Sequence, residues 1–229
     1  MLVSYPALHP SWDPILRSEF EKPYMQTILR KLQTPGYCPP SDLVFKAFQE
    51  TNFDQIRVVI IGQDPYHTTG LATGHAFAVN PATMKRLPSS LSKIFNEIDR
   101  GGGPEIDRTK TDLAGWVDQG VLLLNRILTA TPGKPLSHKN WQWQVFTDVA
   151  LNALIKDGPE KVFMLWGKPA GELAKHIPDR HEKLKATHPS FFSFDKGLPG
   201  EAFKECGHFV KANNWLRSRG RGEIDWTKV

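Results

Sequence analysis

Four short apolar runs constrain the fold of this chain more than any other feature: Val58–Ile61, Val121–Leu124, Lys161–Leu165 and, more weakly, Lys183–Ala186. Each is aliphatic or β-rich, and none shows sustained alternation of apolar with polar residues. A strand with one face in water alternates. A strand covered on both faces does not, and parallel sheets are covered on both faces because their crossovers lay helices across them. Between the runs the period changes. Leu91, Ile94, Phe95 and Ile98 recur at i, i+3, i+4, i+7, with Ser89 or Ser90 as N-cap. Phe146, Val149, Ala150, Ala153 and Leu154 repeat the pattern in a segment that begins after Asn140 and stops at Gly158. Phe203, Cys206, Phe209, Val210, Asn213 and Leu216 mark a C-terminal helix. Strands alternating with helices predict an α/β fold, a three-layer α/β/α sandwich with a central four-stranded parallel sheet.

The 229 residues read as a single domain, 1–229, long enough to bury a core without staples. Its first fifty residues form a peripheral helical segment, with helix signals over Asp13–Leu32 and Ser41–Gln49 separated by Pro35-Gly36 and Pro39-Pro40. Gly101-Gly102-Gly103-Pro104 reads as a surface loop rather than a linker. Two cysteines, Cys38 and Cys206, cannot alone build a four-cysteine zinc or iron–sulfur site, and a disulfide framework is not expected. The net charge of +5 lends only modest support to a polyanionic partner. No run reaches the length of a membrane span, and Met1–Pro6 does not resemble a signal sequence, so the expectation is a soluble cytoplasmic protein.

Each run ends in residues that make poor core. The first delivers Gly62-Gln63-Asp64-Pro65-Tyr66-His67, the second Asn125, the third Trp166-Gly167-Lys168, the fourth Thr187-His188-Pro189-Ser190. In a parallel sheet these carboxyl ends share one edge, so residues distant in sequence meet in one crevice. Singly, each has an ordinary role: an Asp before Pro shapes a turn, an Asn ends a strand, a lone His is a satisfied structural group. Together, an acid, an amide and an imidazole all ending buried strands describe a site. Asp64, His67, His75 and His188 could also be read as metal ligands, but they lack a compact spacing such as His-x-x-x-His, and neither a metal nor a cofactor is expected.

The string Gly62–His67 resembles the signature of the family-1 uracil-DNA glycosylases. Further segments are similar to that family in the same order: Gly74-His75-Ala76-Phe77-Ala78-Val79, Pro88-Ser89-Ser90-Leu91, Val121–Asn125 and His188-Pro189-Ser190. The resemblance implies a monofunctional enzyme that flips uracil out of DNA and hydrolyses its glycosidic bond. It implies catalytic roles for Asp64, which steadies an oxocarbenium-like sugar and places water, for His67 beside that water, and for His188, which donates to uracil O2 as a neutral imidazole. Gln63, Tyr66, Phe77 and Asn125 would form the uracil pocket. Phe77 stacks on the ring, Asn125 reads its Watson–Crick edge and Tyr66 excludes the methyl group of thymine. Pro88, Ser89, Ser90, Ser190, Phe191, Phe192 and Lys196 would contact DNA.

The resemblance is incomplete in the last loop. His188-Pro189-Ser190 is followed by Phe191 and Phe192 where the family commonly has Pro and Leu, and Lys196 stands where an Arg is usual. Phe192 is the expected wedge into the base stack. Thr68-Thr69 replace a more common Gly-Pro. The implied partners are uracil-containing DNA, single- or double-stranded, and a DNA-mimicking protein inhibitor, with the chain acting as a monomer, at the nucleoid if bacterial. The alternatives are a related glycosylase with shifted base or strand preference, and a non-catalytic nucleic-acid binder.

Overall fold

A computed structural model describes residues 6–190, 192–197 and 201–229. The four runs are strands β1 (Val58–Gly62), β2 (Val121–Asn125), β3 (Val162–Trp166) and β4 (Glu182–Ala186), paired in parallel in the order β2-β1-β3-β4. The helices are α1 (Asp13–Leu16), α2 (Pro23–Leu32), α3 (Lys46–Glu50), α4 (Ser89–Arg100), α5 (Ala114–Val117), α6 (Trp143–Lys156), α7 (Lys168–Gly171) and α8 (His208–Ser218).

Every residue of β1, β2 and β3 is buried, which is why none of them alternates. Successive side chains still point to opposite faces, and they feed two cores. Val59, Ile61, Leu122, Leu124, Phe163 and Leu165 join side chains of α1, α2, α3 and α6. Val58, Ile60, Val121, Leu123, Val162 and Met164 join those of α4, α5 and α8. The result is the α/β/α sandwich, each large aliphatic side chain contributing roughly 1.5–3 kcal/mol through burial. Edge strand β4 is different: only Leu184 is buried, and charged Glu182, Lys183 and Lys185 occupy its more exposed positions. That composition explains the weakness of its apolar signal.

Several expectations shift. The first fifty residues are not peripheral: Trp12, Leu16, Phe20, Met25, Ile28 and Phe48 are fully or almost fully buried in the first core. Asp13–Leu32 is not one helix, because a 3-10 turn (Arg17–Glu21) and Pro23 divide α1 from α2. Ser41–Gln49 is a 3-10 turn followed by α3. Pro88, not a serine, is the N-cap of α4, so Ser89 and Ser90 are its first residues. Phe203 and Cys206 enter the second core from a turn ahead of α8, which starts only at His208. The buried Glu97 carboxylate of α4 holds that turn, accepting the backbone N–H of Glu205 and of Gly207, each at 2.9 Å. Lys161 lies just outside β3. Its ammonium donates to the carbonyls of Asp157 (3.0 Å) and Pro159 (2.8 Å) beyond the end of α6. Both cysteines are free and buried, and burial pushes the Cys206 thiol up to about 12.

The strand order sets the location of the site. The chain leaves β1 toward β2 on one side and leaves β3 toward β4 on the other, so the connections diverge between β1 and β3. A crevice opens beyond the carboxyl ends at such a switch point.

Candidate active site

A cavity of about 470 Å³ occupies that crevice, and Gln63, Asp64, Tyr66, His67, Phe77, Ser90, Asn125, His188, Ser190 and Phe192 line it. The ends of β1, β2 and β4 thus meet around one space; Trp166, Gly167 and Lys168, which the sequence places there from the end of β3, do not line it. Pro88, Ser89 and Lys196 do not line it, and Phe191 lies outside the described residues.

Asp64 is half-buried, and one carboxylate oxygen accepts the backbone N–H of Leu136 at 2.7 Å. Burial pushes its pKa above the ordinary carboxylate value; the Leu136 N–H and the charge of His67 pull the other way. Leu136 makes this bond from a left-handed backbone, φ 56. For a residue with a Cβ that conformation costs roughly 1–2 kcal/mol, so surrounding contacts must impose it. Nothing in the side chain of a leucine announces such a role.

Asn125 ends β2 and is buried, opposite Gly62 in the strand register. A Cβ on Gly62 would fall well inside van der Waals contact distance of the Asn125 amide oxygen and 2.9 Å from Ala76 Cβ. Glycine is therefore what lets the amide lie against β1. Ala76 in turn donates its N–H to Leu123 O at 3.0 Å, fixing the 72–79 segment along β2. That segment presents Phe77, also left-handed at φ 65, with its ring edge-on to Trp166 (centroids 5.4 Å apart) and tilted against His188 (5.9 Å). The Tyr66 hydroxyl is buried and has no hydrogen-bond partner among the described residues, and burial pushes its pKa up.

His188 follows β4. Its Nδ1 accepts the N–H of Ser190 at 3.1 Å, which leaves the ring proton on Nε2. Burial lowers its pKa, so the imidazole is neutral near pH 7. Gly167, at φ 88, allows the ring to pack close: a Cβ there would sit 3.1 Å from that of His188. His75 is engaged elsewhere, its Nε2 paired with Glu50 at 2.9 Å. Among the described residues no cluster of His, Cys, Asp or Glu is arranged to hold a metal.

The loop after His188 is a tight turn. Ser193 and Phe194 both donate N–H to Ser190 O (3.1 and 3.0 Å), and Ser193 Oγ donates to His188 O at 3.0 Å. This leaves Phe192 at the tip, 77% exposed. Phe194 folds inward under the ammonium of Lys93, 4.0 Å from its ring centroid. Ser190 Oγ bonds Ser193 Oγ at 2.8 Å, and Lys196 is exposed.

The family model described as the uracil DNA glycosylase superfamily matches residues 48–217. The chain belongs to that superfamily. Among curated proteins, the uracil-DNA glycosylase of Coxiella burnetii (strain CbuG_Q212) is 43% identical over 94% of this chain and 93% of its own length. That of Campylobacter hominis is 42% identical, covering 96% and 92%. Among solved structures, the uracil-DNA glycosylase of mimivirus superposes with a TM-score of 0.83 at 24% identity, covering 95% of this chain and 86% of that one, a likeness of fold. A variant of that viral protein was solved in complex with UGI. The match from residue 48 takes in the glycosylase signature and every cavity residue named above.

Proposed function

We propose that this chain is a monofunctional uracil-DNA glycosylase that starts base-excision repair by hydrolysing the bond between uracil and deoxyribose. The observation that carries the reading is the pairing of Asp64, at the end of β1, with a neutral His188, at the end of β4, around one cavity walled by Asn125 and Phe77. In this sheet β1 and β4 are two strand spacings apart, roughly 10 Å, which admits a pyrimidine with its sugar.

The base inside a duplex is unreachable, so the nucleotide swings out and its ring stacks on Phe77. The Asn125 amide accepts from uracil N3–H and donates to O4. Cytosine reverses both groups and would leave them buried and unpaired. Tyr66 meets C5 and leaves no room for a methyl group. As the C1′–N1 bond breaks, the electron pair leaves with uracil and the sugar becomes positive. Asp64 stabilises that cation and orients a water, with His67 beside it, and His188 Nε2–H donates to O2 as negative charge grows there. Water forms a bond to C1′ and gives up a proton to the Asp64 carboxylate, which passes it to solvent, leaving the abasic sugar while uracil departs with the electron pair of the broken bond. Ser89, Ser90 and Ser190 hold backbone phosphates, and Lys196 supplies charge near the loop. The enzyme acts as a cytoplasmic monomer, and a DNA-mimicking inhibitor of the kind named UGI is its expected protein partner.

Excision from oligonucleotides carrying U, T or C, with alkali to cut abasic sites, tests the reading: cleavage at U alone is expected, and none at U would overturn it. The rate should also depend on pH in a stated direction. Asp64, its pKa raised from the ordinary 3.8, must be ionised, and His188, lowered from 6.5, must be neutral. Single-turnover rates should therefore climb as pH rises between those values and level off near neutrality; a rate that climbs on acidification contradicts both roles.

The exposure of Phe192 favours an aromatic wedge and with it a stronger demand on double-stranded DNA. Phe192→Ala should slow excision from duplex by about tenfold and from single strands by less than about twofold, because an unpaired base needs no prying out. Equal losses on both substrates would remove the wedge.

A further inference from the structure

We propose that His138, which does not line the cavity, is a positioning residue for Asp64: it pins the 131–138 loop so that Leu136 keeps the backbone that delivers its N–H to the carboxylate. This rests on the reading of Asp64 as the catalytic carboxylate.

The loop leaves the core at Ala130, which exchanges both backbone hydrogen bonds with Cys38 (2.8 and 2.9 Å). It returns at His138, a buried imidazole held between two hydroxyls, Thr129 Oγ1 at 2.8 Å from Nδ1 and Thr131 Oγ1 at 3.1 Å from Nε2. Thr129 Oγ1 also accepts the indole N–H of Trp143 at 2.8 Å, so one hydroxyl ties the ring to α6. The ring also lies flat on Trp141, 3.6 Å away and 7° from parallel. Inside the loop Thr131 N donates to Ser137 Oγ (2.7 Å), and Gly133 N donates to His67 O (2.9 Å).

Residues 137 and 138 are thus both tied back to 129–131, and Leu136 directly precedes them. Its left-handed φ of 56 is unfavourable for a leucine taken alone, so the ties on its C-terminal side maintain it. What they maintain ends at Asp64, whose carboxylate takes the Leu136 N–H. The other titratable groups around Asp64 are Tyr66, His67, His75 and His188, all lining the same cavity. The charge nearest His138 is Lys31, whose ammonium lies 4.7 Å from the Trp141 ring centroid.

The test is steady-state and single-turnover kinetics of full-length variants on a uracil oligonucleotide, with thermal melting alongside. His138→Ala should lower kcat by tenfold or more with KM within about twofold, since the defect lies in the geometry of the carboxylate rather than in the grip on DNA. The acid limb of its pH profile should move to higher pH, because the Leu136 N–H no longer opposes the effect of burial on Asp64. His138→Gln, which keeps a donor and an acceptor, should stay within about threefold of the parent. The double variant His138→Ala/Leu136→Gly should recover most of the loss, because glycine adopts positive φ without a Cβ clash.

An acid limb that stays in place in His138→Ala overturns the inference, as does activity lost only in proportion to folded protein without benefit from the glycine. Asp64→Asn separates the two readings: if it is fully active the catalytic reading fails, and if it is inactive while His138→Ala is unimpaired only the positioning inference fails.

Discussion

Asp64→Asn is expected to slow uracil release by about 10³-fold or more while DNA binding stays within a few-fold of the parent. Asparagine has nearly the shape of aspartate, so its amide oxygen can still accept the Leu136 N–H that holds the native carboxylate at 2.7 Å. What disappears is the negative charge, and that charge matters only once the sugar becomes positive. An interaction made in the transition state and not in the ground state appears in kcat and spares affinity. Burial has already pushed the Asp64 pKa up, so the folded protein keeps an expensive charge in a confined cavity. Single-turnover excision with fluorescence anisotropy on uncleaved DNA measures both quantities. A variant that lost affinity and rate together would point to a carboxylate that shapes the loop and does no chemistry.

The second large effect comes from a residue with no side chain. Gly62→Ala should reduce kcat/KM for uracil by about 10²-fold or more, and by a different route. The new Cβ would collide with the Asn125 amide oxygen and sit 2.9 Å from Ala76 Cβ. Gly62 and Asn125 are register partners on adjacent strands, so the backbone between them has little freedom to yield. The side chain of Asn125 must move, and a displacement on the order of 1 Å in a positioning group costs about that factor. Overpacking should also destabilise the fold by about 1–3 kcal/mol. Kinetics on U and C substrates with a melting curve distinguish the outcomes: a folded variant with normal uracil kinetics would mean that Asn125 does not read the base.

The contrast between these two residues shows what a sequence displays of such a site. Asp64, Asn125 and His188 are legible because each interrupts an apolar run at the point where a parallel sheet must end, and side-chain chemistry is visible in a one-letter string. The strands were legible for the same reason, their uniform burial leaving uniform apolar runs. Leu136 was not, since it acts through a backbone N–H that every residue but proline possesses. The ring of His138 was hidden too, because its partners, Thr129, Thr131 and Trp141, declare themselves only once the loop has closed. The N-terminal segment looked peripheral because its helices are short and broken by proline. Trp12 and Phe48 are nevertheless buried, through tertiary packing that no local period records. The weak signal of β4 has the opposite cause: an edge strand spends its positions on lysine and glutamate.

That edge strand has a consequence for how the protein comes into being. Among the described residues β4 pairs only with β3, and it leads to the last members of the pocket, His188, Ser190 and Phe192. During synthesis Asp64 emerges roughly ten seconds before His188, at ordinary elongation rates. Through that interval β1 and β2 can align, but the wall that closes over a flipped base does not yet exist. Until β4 docks, the free edge of the sheet is the wholly apolar β3, and the charged residues of β4 cap that edge once it pairs. A truncated product ending before β4 would therefore keep Asp64 but lack His188, Ser190 and Phe192 from its cavity.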